Sequence, residues 1–234
     1  MKIKDKYKVE IIPKKQTYEW LLYKHYIGRI PSISYSFGLF DKENQMVGVC
    51  VYGIPASHEL LRCCGDEYKD KAYELSRLVK NDNLEKNVQS FFVAQTFKFF
   101  EKPTIIISYA DKNQNHHGYT YQSLNFYYTG EGGSPVEYIF NGNQVTSRHM
   151  NKSWFLKNNF KFDGSLTFKE NFINLGGKVV VNKYKKFRYI YFIGTKKQKK
   201  NMLKKLKYKI YPYPKGENKK YDSNYKPSIQ QKLF

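Results

Sequence analysis

Between Thr104 and Ser108 the chain reads TIIIS, with three isoleucines in a row and no charged side chain among them. A half-exposed strand alternates apolar with polar residues; a run without alternation marks a strand covered on both faces. Such a strand needs layers above and below it, and the neighbouring segments can supply them. Residues 17–27 (TYEWLLYKHYI) place Trp20, Tyr23 and Ile27 at helical spacing, with Thr17 available as a cap. Ser34–Phe40 and Met46–Gly53 read as strands joined by the polar turn DKENQ, which predicts a hairpin. Ala72–Lys80 alternates as a half-buried strand does, and after the polar loop NDNLEKN a helical stretch covers Val88–Phe100. Gly118–Asn125 suits a short helix and Phe126–Thr129 a following strand. This order predicts the α/β class, a mixed central sheet flanked by helices.

The later part of the chain is less regular. Residues 131–182 are rich in glycine and asparagine, with short strand candidates at Tyr138–Phe140 and Lys178–Val181. Tyr189–Ile193 (YIYFI) predicts another strand. Residues 195–210 predict a basic amphipathic helix with Met202, Leu203, Leu206 and Ile210 on one side. From Tyr211 onward the Pro/Lys/Tyr-rich sequence is expected to be extended or disordered.

Charge sets the partner. The net charge is +21, yet residues 1–182 hold 24 basic and 18 acidic side chains while residues 183–220 hold 15 and one. Self-repulsion of that size adds nothing to a fold, whereas a polyanion that releases counterions offsets it. The expected division is therefore a catalytic domain over 1–182, with core 17–130 and an insertion or extra strands at 131–182. A basic extension for nucleic-acid binding would follow at 183–234. With 22 Tyr and 17 Phe, base stacking is available as well as ring packing. No apolar run approaches the roughly 18 residues of a spanning helix, and the start of the chain is polar. A soluble, cytoplasmic protein with no membrane partner is expected. Cys50, Cys63 and Cys64 lack both a disulfide framework and C-x-x-C zinc spacing, so reduced thiols are expected.

Six fragments then carry a resemblance: His25-Tyr26-Ile27-Gly28-Arg29-Ile30-Pro31, Ser36-Phe37-Gly38-Leu39-Phe40, Val51-Tyr52-Gly53-Ile54-Pro55-Ala56, Glu74-Leu75-Ser76-Arg77-Leu78, Ser108-Tyr109-Ala110-Asp111 and His117-Gly118-Tyr119-Thr120-Tyr121-Gln122. In that order, over about residues 17–130, they resemble the bacteriophage Mom-type DNA adenine modification proteins of the GNAT acyltransferase superfamily. The stretch Tyr121-Gln122-Ser123-Leu124-Asn125-Phe126 is similar to that superfamily's Tyr-x-x-x-Gly-Phe element, with Asn for Gly. The resemblance implies a GNAT-like fold and an enzyme that converts adenine in double-stranded DNA to its N6-carbamoylmethyl form. It also implies a phage protein that works in the host cytoplasm and shields the genome from restriction. The Gln/Arg-x-x-Gly-x-Gly/Ala loop of a standard acetyl-CoA cradle is absent, which leaves the acyl or aminoacyl donor open between acetyl-CoA and an aminoacyl-tRNA.

The N6 amine is a weak nucleophile, because its lone pair is delocalised into the ring, so a base, a positioned amine and charge stabilisation are needed. Asp111 follows the buried strand at the edge where α/β sheets place ligands, and is the expected base or orienting group, with His25 and Tyr26 as partners. The resemblance assigns Tyr121 as the acid for the leaving group. Arg77, within a strand, needs an anion, and with Asn87 and Ser90 at the next helix start it forms the expected donor site. Arg29, Lys185, Lys186, Arg188, Lys196, Lys197 and Lys200 are the expected DNA contacts, the target base being flipped into a pocket. Blander roles stand beside these: Asp111 as a turn cap, Tyr121 as packing, Arg77 as an ion-pair partner of Glu74, and a metal at Asp111, His116 and His117, for which no ligand is assigned. A GNAT-type N-acyltransferase for protein or small-molecule amines and a non-enzymatic nucleic-acid-binding protein are the competing readings.

Overall fold

The computed structural model describes residues 2–132, 136–145, 151–181, 185–217 and 225–228. Two compact units divide the chain, Met1–Gly130 with Phe187–Phe234, and Glu131–Lys186. The charge shift suggested a boundary near residue 182; the fold divides instead at 130 and 186, because the C-terminal strand is a member of the main sheet.

The larger unit is built on seven strands: β1 (Lys8–Ile11), β2 (Tyr35–Phe40), β3 (Met46–Gly53), β4 (Ala72–Lys80), β5 (Thr104–Ala110), β6 (Tyr127–Gly132) and, late in the chain, β10 (Lys186–Ile193), in the spatial order β1-β2-β3-β4-β5-β10-β6. β1 to β4 form an antiparallel meander, β4 and β5 are parallel, and β10 runs antiparallel to β5. The helices are α1 (His58–Leu61), α2 (Val88–Thr96), α3 (Tyr119–Ser123) and α6 (Lys196–Lys205). The sheet is thus mixed and flanked by helices, the expected class.

The TIIIS run behaves as its composition demands. Ile106 packs with Phe37, Tyr52, Phe92 and Tyr189 in one core layer, while Ile105 and Ile107 pack with Leu60, Ile190, Phe192 and Met202 in the other. All three isoleucines are fully buried, each contributing roughly 1.5–3 kcal/mol of hydrophobic stabilisation. A third cluster, with Trp20, Leu21, Val49, Val51 and Val79, lies on the face opposite Cys50 and Tyr52. The YIYFI run of β10 is inserted between β5 and β6, and Tyr189, Ile190 and Phe192 are buried. Both faces of that strand are occupied, so it cannot be an appended module.

The helical segment expected over 17–27 covers residues 14–24 instead, with Thr17 inside its first turn and a π-helical turn over Trp20–Lys24 at its end. The smaller unit holds β7 (Val136–Phe140), β8 (Asn143–Val145), β9 (Lys178–Val181), α4 (Lys152–Lys157) and α5 (Phe168–Asn174), with strand order β8-β7-β9. Its core is aromatic: Phe155 and Phe172 are fully buried among Tyr138, Phe140, Trp154, Phe160 and Phe162. Thr167 and Glu170 cap α5 reciprocally.

Candidate active site at the parting of two strands

The site begins with a defect in β4. Val51 pairs with Arg77 and Tyr52 with Leu75, so Ser76 is an extra residue. A bulge of this kind bends its strand and re-aims the side chains beyond it. Leu75 therefore packs in the Phe37 layer while Val79, four residues on, packs in the Trp20 layer. The β4–β5 ladder ends at once, running only from Ala72↔Ile105 to Leu75↔Ser108. Past that point β4 follows β3 as far as Lys80, and β5 follows β10 as far as Ala110. The strands part at the C-terminal end of β5, just before Asp111.

Tyr26 Oη donates to Asp111 Oδ2 at 3.2 Å, across 85 residues of sequence. The His25 ring stacks on Tyr26 with centroids 4.5 Å apart, and His116 meets Tyr26 edge-on at 6.0 Å. His25 Nδ1 accepts from the Ile27 amide at 3.1 Å. Asp111 is also the turn cap foreseen as its blander role: Oδ1 accepts from the Asn113 amide at 3.0 Å. The two roles use different oxygens, and the cap fixes the carboxylate that meets Tyr26. Burial first, then the Asp111 charge, pushes the Tyr26 phenol well above its ordinary range, so it holds its proton and donates it.

Tyr121 lies on the other side of the parting, packed against the Phe37 layer. It shares a hydrogen bond with Ser108, and burial pushes its phenol up to about 12. Ser108 Oγ also donates to the Leu75 carbonyl at 3.0 Å, tying the last rung where the strands separate. α3, which carries Tyr121, starts at Gly118 with φ of 76°, and a Cβ there would collide with the Tyr189 ring. Glycine is required.

Arg77 joins the two sides. Its guanidinium acts electrostatically on both Tyr26 and Tyr121, and burial draws its own pKa below the usual value. Nη1 donates to the Ser76 carbonyl at 2.6 Å, while the buried Nε has no hydrogen-bond partner among the described residues. A buried N–H left unmade costs about 1–3 kcal/mol.

The start of α2 follows β4. The loop before it carries two acids, both engaged: Asp82 with Lys24 at 2.6 Å and Glu85 with Lys6 at 2.5 Å. Asn87 takes the left-handed conformation (φ 70°) that glycine would supply more easily, and its side chain makes no cap. Ser90 Oγ donates to the Asn87 carbonyl at 3.0 Å.

The expected DNA contacts scatter. Lys196, Lys197 and Lys200 are exposed on α6, and Arg29 and Lys185 are exposed elsewhere. Lys186 is half-buried at the start of β10. Arg188 is spent inside the fold: Nε donates to Thr129 Oγ1 and Nη2 to the Thr129 carbonyl, each at 2.9 Å, and the guanidinium lies 3.6 Å from the Tyr208 ring centroid. A side chain so committed is a brace between β10 and β6, not a free phosphate contact. Sequence reading passed over Ser108 and Ser76; the first is legible as the polar end of an apolar run, the second leaves no signal. Among the described residues no group of three His, Cys, Asp or Glu could hold a metal ion, and no helix is long and apolar enough to cross a membrane.

Fold and site together define a mixed α/β sheet in which two parallel strands separate next to the Tyr26–Asp111 hydrogen bond. The chain matches the Mom protein family over residues 6–215 and belongs to it. It is 26% identical over 209 residues to the methylcarbamoylase Mom of Escherichia phage Mu, covering 82% of this chain and 77% of that protein. Similar solved structures include a spermidine/spermine N-acetyltransferase from Vibrio cholerae (TM-score 0.44, 6% identity, 82% of this chain and 95% of that one). A ribosomal-protein-S5-alanine acetyltransferase from Vibrio fischeri is another (TM-score 0.41, 9% identity, 81% and 94%).

Proposed function

We propose that this chain is a DNA-modifying transferase that forms N6-carbamoylmethyladenine, shielding phage DNA from restriction in the host cell. The observation that carries the reading is the Tyr26–Asp111 hydrogen bond at the parting of β4 and β5, within a chain of the Mom family. The net charge of +21 supports a polyanionic substrate.

In this reading a flipped adenine enters the parting. Asp111, held by its cap, takes a proton from N6, and Tyr26 keeps the carboxylate oriented. The nitrogen then bonds to the electrophilic carbon of the donor, whose bond to its leaving group breaks. Tyr121, protonated through the neutral range, returns a proton to the leaving group. His25 and His116 bracket Tyr26. Arg77 Nε and the start of α2, with Asn87 and Ser90, would hold an anionic donor. Acyl transfer from a CoA thioester would leave an N6-acyl amide, so the carbamoylmethyl product needs a donor whose electrophilic carbon is the methylene that joins N6. The exposed lysines of α6 and Arg29 supply phosphate contacts; Lys185 is a further exposed candidate on the smaller unit.

Mass spectrometry of nucleosides from plasmid DNA tests this, using DNA recovered from bacteria that express the chain. A deoxyadenosine heavier by a carbamoylmethyl group is the expected product. Unmodified DNA from cells that hold soluble protein would refute the assignment and redirect it toward a protein or small-molecule amine.

A further inference from the structure

The turn that carries His25 and Tyr26 has little regular structure of its own. The π-helical turn ends at Lys24, the His25 amide donates to the Trp20 carbonyl at 2.9 Å, and the Gly28 amide returns to the His25 carbonyl at 2.9 Å. On its inner side the turn is held by Trp20 and Leu21, both fully buried. On its outer side it is held by a segment about 200 residues away in sequence. Oε1 of Glu19 accepts three hydrogen bonds from that segment: the Tyr225 hydroxyl at 2.7 Å, the Ser228 amide at 2.7 Å and the Ser228 hydroxyl at 3.0 Å. The Tyr225 ring lies 5.5 Å from that of Tyr23. Lys24, only 5% exposed, donates to the Tyr225 carbonyl at 3.1 Å and to Asp82 Oδ2 at 2.6 Å. One lysine thus links the C-terminal segment, the turn and the loop that leads into α2.

A single carboxylate oxygen with three donors is a specific dock, because a charged acceptor makes hydrogen bonds about twice as strong as a neutral one. The match to the Mom family ends at residue 215, so the docked segment lies beyond it.

We infer that Glu19 is a positioning residue: by docking Tyr225–Ser228 it clamps the turn so that Tyr26 meets Asp111. This rests on the proposed DNA-modifying activity for its kinetic consequence, but the clamp itself can be read without that activity. Loss of the clamp frees the turn by an ångström or so, and displacement of that size costs on the order of 100-fold in a reaction that depends on alignment.

The test uses the full chain with Glu19→Ala, and Ser228→Ala as a milder second variant. Hydrogen–deuterium exchange is expected to accelerate in residues 20–27 and to stay unchanged in β5 and α2. The rate of DNA modification is expected to fall ~10- to 100-fold for Glu19→Ala, with half-saturating DNA concentration unchanged. Glu19→Gln, which keeps an acceptor oxygen, should recover most of that rate. Unchanged exchange in residues 20–27, or exchange that accelerates evenly over the whole chain, would overturn the clamp. A rate that falls only through weaker DNA binding would overturn it too. If wild-type protein modifies no DNA, the proposed function fails while the exchange result still decides the clamp.

Discussion

Asp111→Asn separates chemistry from scaffolding at one atom. In the wild type Oδ1 accepts from the Asn113 amide and Oδ2 from the Tyr26 hydroxyl. Asparagine keeps a carbonyl oxygen for the cap and turns an amide toward Tyr26, whose hydroxyl can rotate to accept. The structural cost is therefore about one hydrogen bond, roughly 0.5–1.5 kcal/mol, and for a chain of this size that shifts Tm by less than about 6 °C. Removing a positioned base costs about 100- to 10,000-fold in rate, or roughly 2.7–5.4 kcal/mol of transition-state stabilisation. The second quantity exceeds the first by a wide margin, so the variant should be folded and inert. The assay pairs a thermal melt with the fraction of deoxyadenosine converted in plasmid DNA, at matched levels of soluble protein. Conversion above a tenth of wild type refutes Asp111 as the base. A melt lowered by more than about 10 °C would show that the cap was its main contribution.

Arg77→Met should leave stability unchanged or raise it slightly in chemical denaturation, since a buried guanidinium with an unpartnered Nε is removed, yet modification should drop at least ~10-fold; a marked loss of stability would contradict the donor role. Arg188→Lys removes the fork to Thr129 and the contact with Tyr208 and should cost about 2–3 kcal/mol with little change in the salt slope of DNA binding. Changing Lys196, Lys197 and Lys200 together to Gln should do the reverse, flattening the log–log salt slope by about 2–3 without moving Tm. Burial holds the Tyr121 phenol at about 12, above its unfolded value of 10.0, so its contribution to stability is complete below pH 10 and is lost as pH rises toward 12. Tyr121→Phe should make alkaline unfolding less steep by about one proton; an unchanged pH profile would show that the phenol is not shielded.

What the sequence disclosed follows from how local each signal is. TIIIS and YIYFI announce buried strands because burial on two faces removes the need for polar positions, and both lie inside the sheet. Asp111 is legible from its place after the buried strand, and His25, Tyr26 and Tyr121 from the resemblance; the structure brings His25, Tyr26 and Asp111 together. Arg77 could be suspected from its charge within a strand, but its exposure to both tyrosines depends on the bulge at Ser76, which only the pairing with β3 reveals. Charge density misled at Arg188: fifteen basic residues in one block look alike in sequence, and only Thr129 and Tyr208 distinguish a brace from a contact. The residues after Tyr211 read as tail, since prolines and lysines give no periodicity. In fact the Tyr211 amide donates to the Tyr128 carbonyl, Tyr213 Oη to the Phe126 carbonyl and Gln122 Nε2 to the Pro214 carbonyl. Those contacts are long-range, and no local pattern encodes them.

The place of β10 between β5 and β6 has a consequence for synthesis. β5 gains its second neighbour only when residues 187–193 arrive, and by then the intervening unit of residues 131–186 has already left the ribosome. Until then Ile107 lacks its partner Ile190, and the sheet presents an open edge beside the candidate site. A chain interrupted before that strand carries His25, Tyr26, Asp111 and Tyr121 on a sheet that lacks the ladder from Phe187↔Ala110 to Ile193↔Thr104. Completion of the sheet beside the site is thus tied to late translation.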